Sequence, residues 1–271
     1  MDAMQKKEVP ALFVGFGLIV VVIFYFAFRE TMTTATETPA TAEPIKEAVT
    51  LPTISVDEAK KEYLSPTPTS TFVDVRTSDL YANAHIPRSL SVPLKMLATY
   101  VPKQGSNLIL VWSAADQALM KQALAELGDK GVPFVFIAGG IEAWVGRGGQ
   151  VVTKGDQTSF VDMSKVTLVP LDDWKKLIDS ADAPSTVVDV RPKDLYAKSH
   201  IAKSVNIPLS ELETRIQDVP KGVGIAVIGA TTTETFQGAV RLFDLNVFTA
   251  KALNGGFDDW IANGYPVVQD K

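Results

Sequence analysis

Two histidines, two Asp-Val-Arg triplets and no cysteine bound the chemistry open to this 271-residue chain. His85 and His200 lie 115 positions apart, each inside one copy of a repeated phrase: VDVRTSDLYANAHIPRSLSVPL from Val73 and VDVRPKDLYAKSHIAKSVNIPL from Val188. A histidine can act as general base for a hydroxyl nucleophile, and Ser113 is the hydroxyl that such a reading would pair with His85. One histidine per copy gives no metal cluster. The absence of cysteine removes disulfides, thiolate metal sites and thiol catalysis together. Asp74 with Arg76, and Asp189 with Arg191, read as framework ion pairs or hydrogen bonds. His85 and His200 read as groups that satisfy loop backbone. No cofactor and no metal are implied.

The elements that must position these residues also come in pairs. Repetition at this period means duplicated folding units. Ser55-Val56-Asp57-Glu58 is a capping box opening a helix through about Tyr63, and Pro170 to Trp174 repeats it 115 residues on. The runs Thr71–Val75 and Thr186–Val190 are short, rich in β-branched residues and bounded by turn formers, as buried strands are. Leu108–Trp112 and Ile225–Ile228 are strands, each feeding a helix, from about Ala115 to Leu127 and from about Thr233 to Leu245. Gly139-Gly140 and Gly255-Gly256 mark tight turns before short helices carrying Trp144 and Trp260, both read as core packers. Strands alternating with helices imply a mainly parallel sheet covered on both faces.

D-V-R, then an acidic residue and an aromatic, H-I, a proline-leucine pair and G-G-[IF]-x-x-W closing on Trp144 and Trp260 resemble the rhodanese-like family in tandem. The resemblance implies an α/β chain with two rhodanese-like domains, at residues 53–155 and 162–271, each a five-stranded mainly parallel sheet flanked by helices. It also implies a site where the central strand feeds the long helix. Active members place a cysteine there, and the loop amides and helix N-terminus stabilise a thiolate or persulfide. Against that pattern Ser113 stands at the nucleophile position of the first domain and Gly229 at that of the second. Ala118 and Glu234 replace the arginine that commonly ends the loop. With no sulfur nucleophile in the chain, persulfide chemistry is excluded. What remains open is an anion site made by the loops Ser113, Ala114, Ala115, Asp116 and Thr231, Thr232, Thr233, although serine and threonine are also ordinary helix caps.

Ahead of the domains, Ala11 to Phe28 contains 18 uncharged residues, ALFVGFGLIVVVIFYFAF. With Pro10 this is long enough for one bilayer span over 10–28; a cleaved signal peptide or a buried helix are the alternatives. Lys6 and Lys7 precede the run, which places residues 1–9 in the cytoplasm and the domains across the membrane. Residues 29–52, rich in Thr, Pro and Ala, read as a tether. The flanking lysines and this tether point to a bacterial cytoplasmic membrane protein with a periplasmic or extracytoplasmic body. A net charge of −5 argues against a nucleic-acid partner. The expectation is a non-catalytic scaffold or accessory subunit with protein partners in a membrane complex. A sulfurtransferase borrowing a partner's thiol and an oxyanion sensor are the alternatives.

Overall fold

Each copy of the repeat builds its own parallel sheet. The structure is a computed structural model and describes residues 51–115, 117–180 and 185–269. The first module runs β1 (Thr53–Ile54), α1 (Val56–Leu64), β2 (Ser70–Asp74), α2 (Ser78–Asn83), β3 (Ala84–His85), β4 (Leu90–Ser91), α3 (Leu94–Leu97), β5 (Asn107–Val111), α4 (Gln117–Gly128), β6 (Phe134–Ile137), α5 (Gly140–Gly146) and β7 (Val152–Thr153). After α6 (Phe160–Lys165) the second module runs β8 (Leu168–Val169), α7 (Leu171–Asp179), β9 (Ser185–Asp189), α8 (Lys193–Lys198) and β10 (Val205–Asn206). A short 3-10 turn, β11 (Gly224–Ile228), α9 (Thr232–Asp244), β12 (Ala250–Leu253) and α10 (Phe257–Ala262) complete it.

The strand orders are β1-β6-β5-β2-β4 and β8-β12-β11-β9-β10, the same topology twice. Every pairing within these two sheets is parallel. The five-stranded parallel sheets expected from the sequence are therefore present. In β5 the alternation of a strand sends Leu108 and Leu110 to one core cluster and Ile109 and Val111 to the other. In β11 Ile225 and Val227 divide from Ala226 and Ile228 in the same way. Both faces are covered by helices, which is why these strands read as unbroken apolar runs rather than alternating ones. Ser55 caps α1 with the reciprocal bonds of a full capping box. Trp144 and Trp260 are buried at equivalent places, their ring N–H groups donating to Gln150 O and Pro266 O.

The polar stretch Thr153–Ser159 joins the modules, and it is anchored at its start. β7 pairs antiparallel with β3. The Thr153 N–H and hydroxyl both donate to Asp244 Oδ2, at 2.9 and 2.8 Å, and Lys165 Nζ lies 2.9 Å from Asp244 Oδ1. This contact explains a difference between the two long helices. Phe236 and Val240 are buried on α9, whereas Lys121 and Ala125, 115 positions earlier on α4, are exposed. The second module thus has an extra apolar face because the first module's exit strand and α6 cover it.

No described helix is long and apolar enough to cross a membrane. The segments read as cytoplasmic N-terminus (1–9), span (10–28) and most of the tether (29–52) lie outside the described residues.

Candidate functional site

In both modules the strand that feeds the long helix is the central one, so its C-terminal end opens where the strand order turns back. Open α/β sheets bind ligands at that point. After β5 the Trp112 carbonyl accepts the Ile141 N–H at 2.8 Å, and after β11 the Gly229 carbonyl accepts the Phe257 N–H at the same distance. This register corrects the sequence reading by one residue. Gly229 is the counterpart of Trp112, and Ser113 corresponds to Ala230. The loop from β11 to α9 is also two residues shorter than the loop from β5 to α4.

A carboxylate of the protein itself occupies each loop. In the first module Glu142 Oε1 accepts the Ser113 hydroxyl at 2.6 Å and Oε2 accepts the Ala114 N–H at 2.9 Å. Glu142 reaches the loop because α5 starts at Gly140, whose left-handed backbone (φ 68°) lets it approach closely. A Cβ there would sit 2.5 Å from the Trp112 carbonyl oxygen. Burial alone would raise the Glu142 carboxyl, but the bonds from Ser113 and Ala114 hold it below the ordinary value. In the second module Glu234 Oε2 accepts the Ala230 N–H at 2.6 Å, and the Gly229 N–H goes to the Thr235 hydroxyl at 2.9 Å.

The hydroxyls read as possible anion donors have other partners. Ser113 is turned to Glu142. Thr231 is the N-cap of α9 and accepts the Glu234 N–H at 3.2 Å, and Thr233 lies 3.3 Å from Gln157 Oε1. Thr232 opens the helix. Ala115 N–H lies 3.4 Å from the Ser113 hydroxyl. Asp116 falls outside the described residues.

The charged repeats are tied into the frame. Arg76 meets Asp74 through Nε and Nη2, the latter at 2.6 Å, and donates to Ala84 O. Arg191 does the same with Asp189 and Ser199 O. All four charged side chains are buried, and Arg191 also stacks over Phe257 at 3.4 Å. His85 and His200 each stack on a tyrosine, Tyr81 and Tyr196, and each places Nδ1 on that tyrosine's carbonyl. The Ser113–His85 pairing fails on geometry: His85 Nε2 meets Glu213 Oε2 of the second module at 2.8 Å, and Ser113 is bonded to Glu142.

The profile of the Rhodanese family, described as "Rhodanese-like domain", matches residues 55–147 and 171–263, about two-thirds of the chain. The chain belongs to the rhodanese-like domain family. It is 33% identical over 75 residues to a Bacillus subtilis protein named as a candidate sulfur carrier, YrkF, a match covering 28% of this chain and 40% of that protein. Among solved structures it is similar to a thiosulfate sulfurtransferase from Pseudomonas aeruginosa, with 20% identity, a TM-score of 0.42 and coverage of 82% of this chain and 44% of that one. A rhodanese-related protein from Thermoplasma volcanium matches at 29% identity and a TM-score of 0.34, covering 38% of this chain and 99% of its own. The chain thus spans less than half the length of the Bacillus and Pseudomonas proteins. Glu142, Thr235, Glu213 and Asp244 carry no motif in the sequence, because each meets its partner only in the folded register. The shortened loop does leave a signal in the spacing of the repeat. The repeat is offset by 115 residues at β2 and α4 but by 117 at β5, so two residues are gained before β11 and lost after it. Among the described residues no group of three His, Cys, Asp or Glu side chains could hold a metal ion.

Proposed function

We propose that this chain is a non-catalytic tandem rhodanese-like protein that works as a scaffold or accessory subunit of a membrane complex. One span over residues 10–28 would hold it in a bacterial cytoplasmic membrane with both modules on the extracytoplasmic side. The observation that carries this reading is the state of the two loops. The chain has no cysteine, and Glu142 and Glu234 take up amides that would otherwise face a persulfide. A carboxylate at that point opposes an anionic sulfur by like charge. The name of the Bacillus relative suggests sulfur carriage, but a carrier needs a sulfur atom to hold its cargo, and this chain offers only methionine thioethers. A tether from one span raises the effective concentration of both modules near other membrane proteins, which suits a docking role.

Alkaline carbonate extraction of membranes and native electrophoresis of the mildly solubilised full chain test this reading. A chain that stays with the membrane and migrates with a fixed set of proteins in constant ratio supports it. A chain released by carbonate, or one running alone at its own mass, contradicts it.

A further inference from the structure

We infer that the outer face of α6, with Leu168 of β8 after it, rests in the surface layer of a lipid bilayer. This helix is built inside out. Its one buried residue is Asp162, which accepts the Asp156 N–H at 2.9 Å and meets Lys165 Nζ at 2.8 Å. Lys165 in turn lies 2.9 Å from Asp244 Oδ1 on α9. Both charges of the helix therefore point into the protein. Its large apolar side chains point out: Phe160 is 81% exposed, Val161 64% and Met163 47%. Leu168, on an edge strand of the second sheet, adds a fourth at 53%.

A single exposed apolar side chain needs no explanation, but a buried charge beneath a group of exposed large ones does. Such groups mark surfaces that meet a protein or a membrane. Two observations choose the bilayer. Residues 157–170 contain no charged side chain besides Asp162 and Lys165, so this face turns no charge outward. A protein interface carries a polar rim, whereas the acyl layer excludes charge. The sequence also holds a route to a bilayer, the 18 uncharged residues 11–28. The residues from 29 to 50 can extend about 70 Å, enough to let α6 lie on the membrane. The inference rests on the anchored reading, which brings the bilayer within reach, and its experiment separates the two.

Spin labels on the full chain, reconstituted with vesicles, test it. The parent has no cysteine, so each variant carries one label. Val161→Cys and Met163→Cys report the α6 face, Lys176→Cys an exposed site on α7, and Val21→Cys the apolar run. The vesicles are phosphatidylcholine alone, or phosphatidylcholine mixed with phosphatidylglycerol. Collisions with oxygen and with a water-soluble nickel chelate read the depth of each label. The labels at Val161→Cys and Met163→Cys should lie about 5–10 Å below the headgroup phosphates. They should do so in both vesicle types, because an uncharged face gains nothing from anionic lipid. The label at Lys176→Cys should lie in water. Adding Phe160→Ser and Val161→Ser, both at exposed positions, should return the Met163→Cys label to water without lowering the melting temperature.

Water at both α6 labels with lipid at Val21→Cys would overturn the inference and leave the anchor standing. Water at Val21→Cys would overturn the anchored reading instead, the α6 depths still deciding this one. An α6 label shielded from both reagents would put a second copy of the chain on the face and overturn the inference. So would depth seen only with phosphatidylglycerol.

Discussion

Glu213 of the second module lies with Oε2 2.8 Å from His85 Nε2 of the first, and its other oxygen accepts the Arg88 N–H. One carboxylate therefore ties the second module to the loop between β3 and β4 of the first. His85 is buried and the Glu213 side chain is 16% exposed, so water cannot replace the lost partner well. Glu213→Gln and His85→Gln should each cost about 2 kcal/mol in urea unfolding. The double variant should fall short of additivity by about 1 kcal/mol, which a full mutant cycle measures. Zero coupling would mean that the pair does not join the modules.

The same contact sets a pH dependence. Burial would raise the Glu213 carboxyl, but hydrogen bonds from His85 and Arg88 and the charges of His85 and Arg241 hold it below its ordinary value. A carboxyl lowered in the folded state stabilises fully above its unfolded value, about 4.3, and that contribution is lost as pH falls through the folded value. The melting temperature of the parent should thus drop more steeply than that of Glu213→Gln below about pH 4.5. Parallel curves from pH 7 to pH 3 would contradict the assignment.

Ser113 stands in the longer of the two loops, against Glu142. In Ser113→Cys the Glu142 carboxylate would remain against the new side chain and disfavour its thiolate. Ser113→Cys with Glu142→Gln removes that charge and frees the Ala114 amide. Alkylation by iodoacetamide at pH 7 should run about tenfold faster in the double variant than in the single one. The parent has no cysteine, so the label reports this position alone. Equal rates would show that Glu142 does not govern the loop.

Gly229 behaves differently. A Cβ there would lie 2.7 Å from Cβ and Cγ of Glu234 and 2.8 Å from its backbone carbon. Gly229→Cys should therefore cost about 1–3 kcal/mol, whereas Ser113→Cys, nearly isosteric, should change stability by about 0.5 kcal/mol or less. Thermal unfolding of the two variants side by side checks this.

The parts legible in the sequence are those with short-range physics. The Ser55 capping box, the apolar runs of β5 and β11 and the glycine pairs before Trp144 and Trp260 each depend on neighbours within a turn or a strand. Glu142 was not legible as a loop partner, because it acts 28 residues from Ala114 and only the folded register brings α5 to that amide. The bond between His85 and Glu213 spans 128 residues, and the repeat itself conceals it, since the phrase around His200 reads almost the same. Phe236 and Val240 did carry a signal. Two apolar residues on α9 stand where α4 has Lys121 and Ala125, which marks a face covered in one module only.

The central claim, that both rhodanese-like sites are catalytically silent, is tested most directly by thiosulfate:cyanide sulfur transfer with the purified full chain. The account predicts thiocyanate formation no faster than in protein-free buffer at any chain concentration. A rate that rises in proportion to the chain would contradict it.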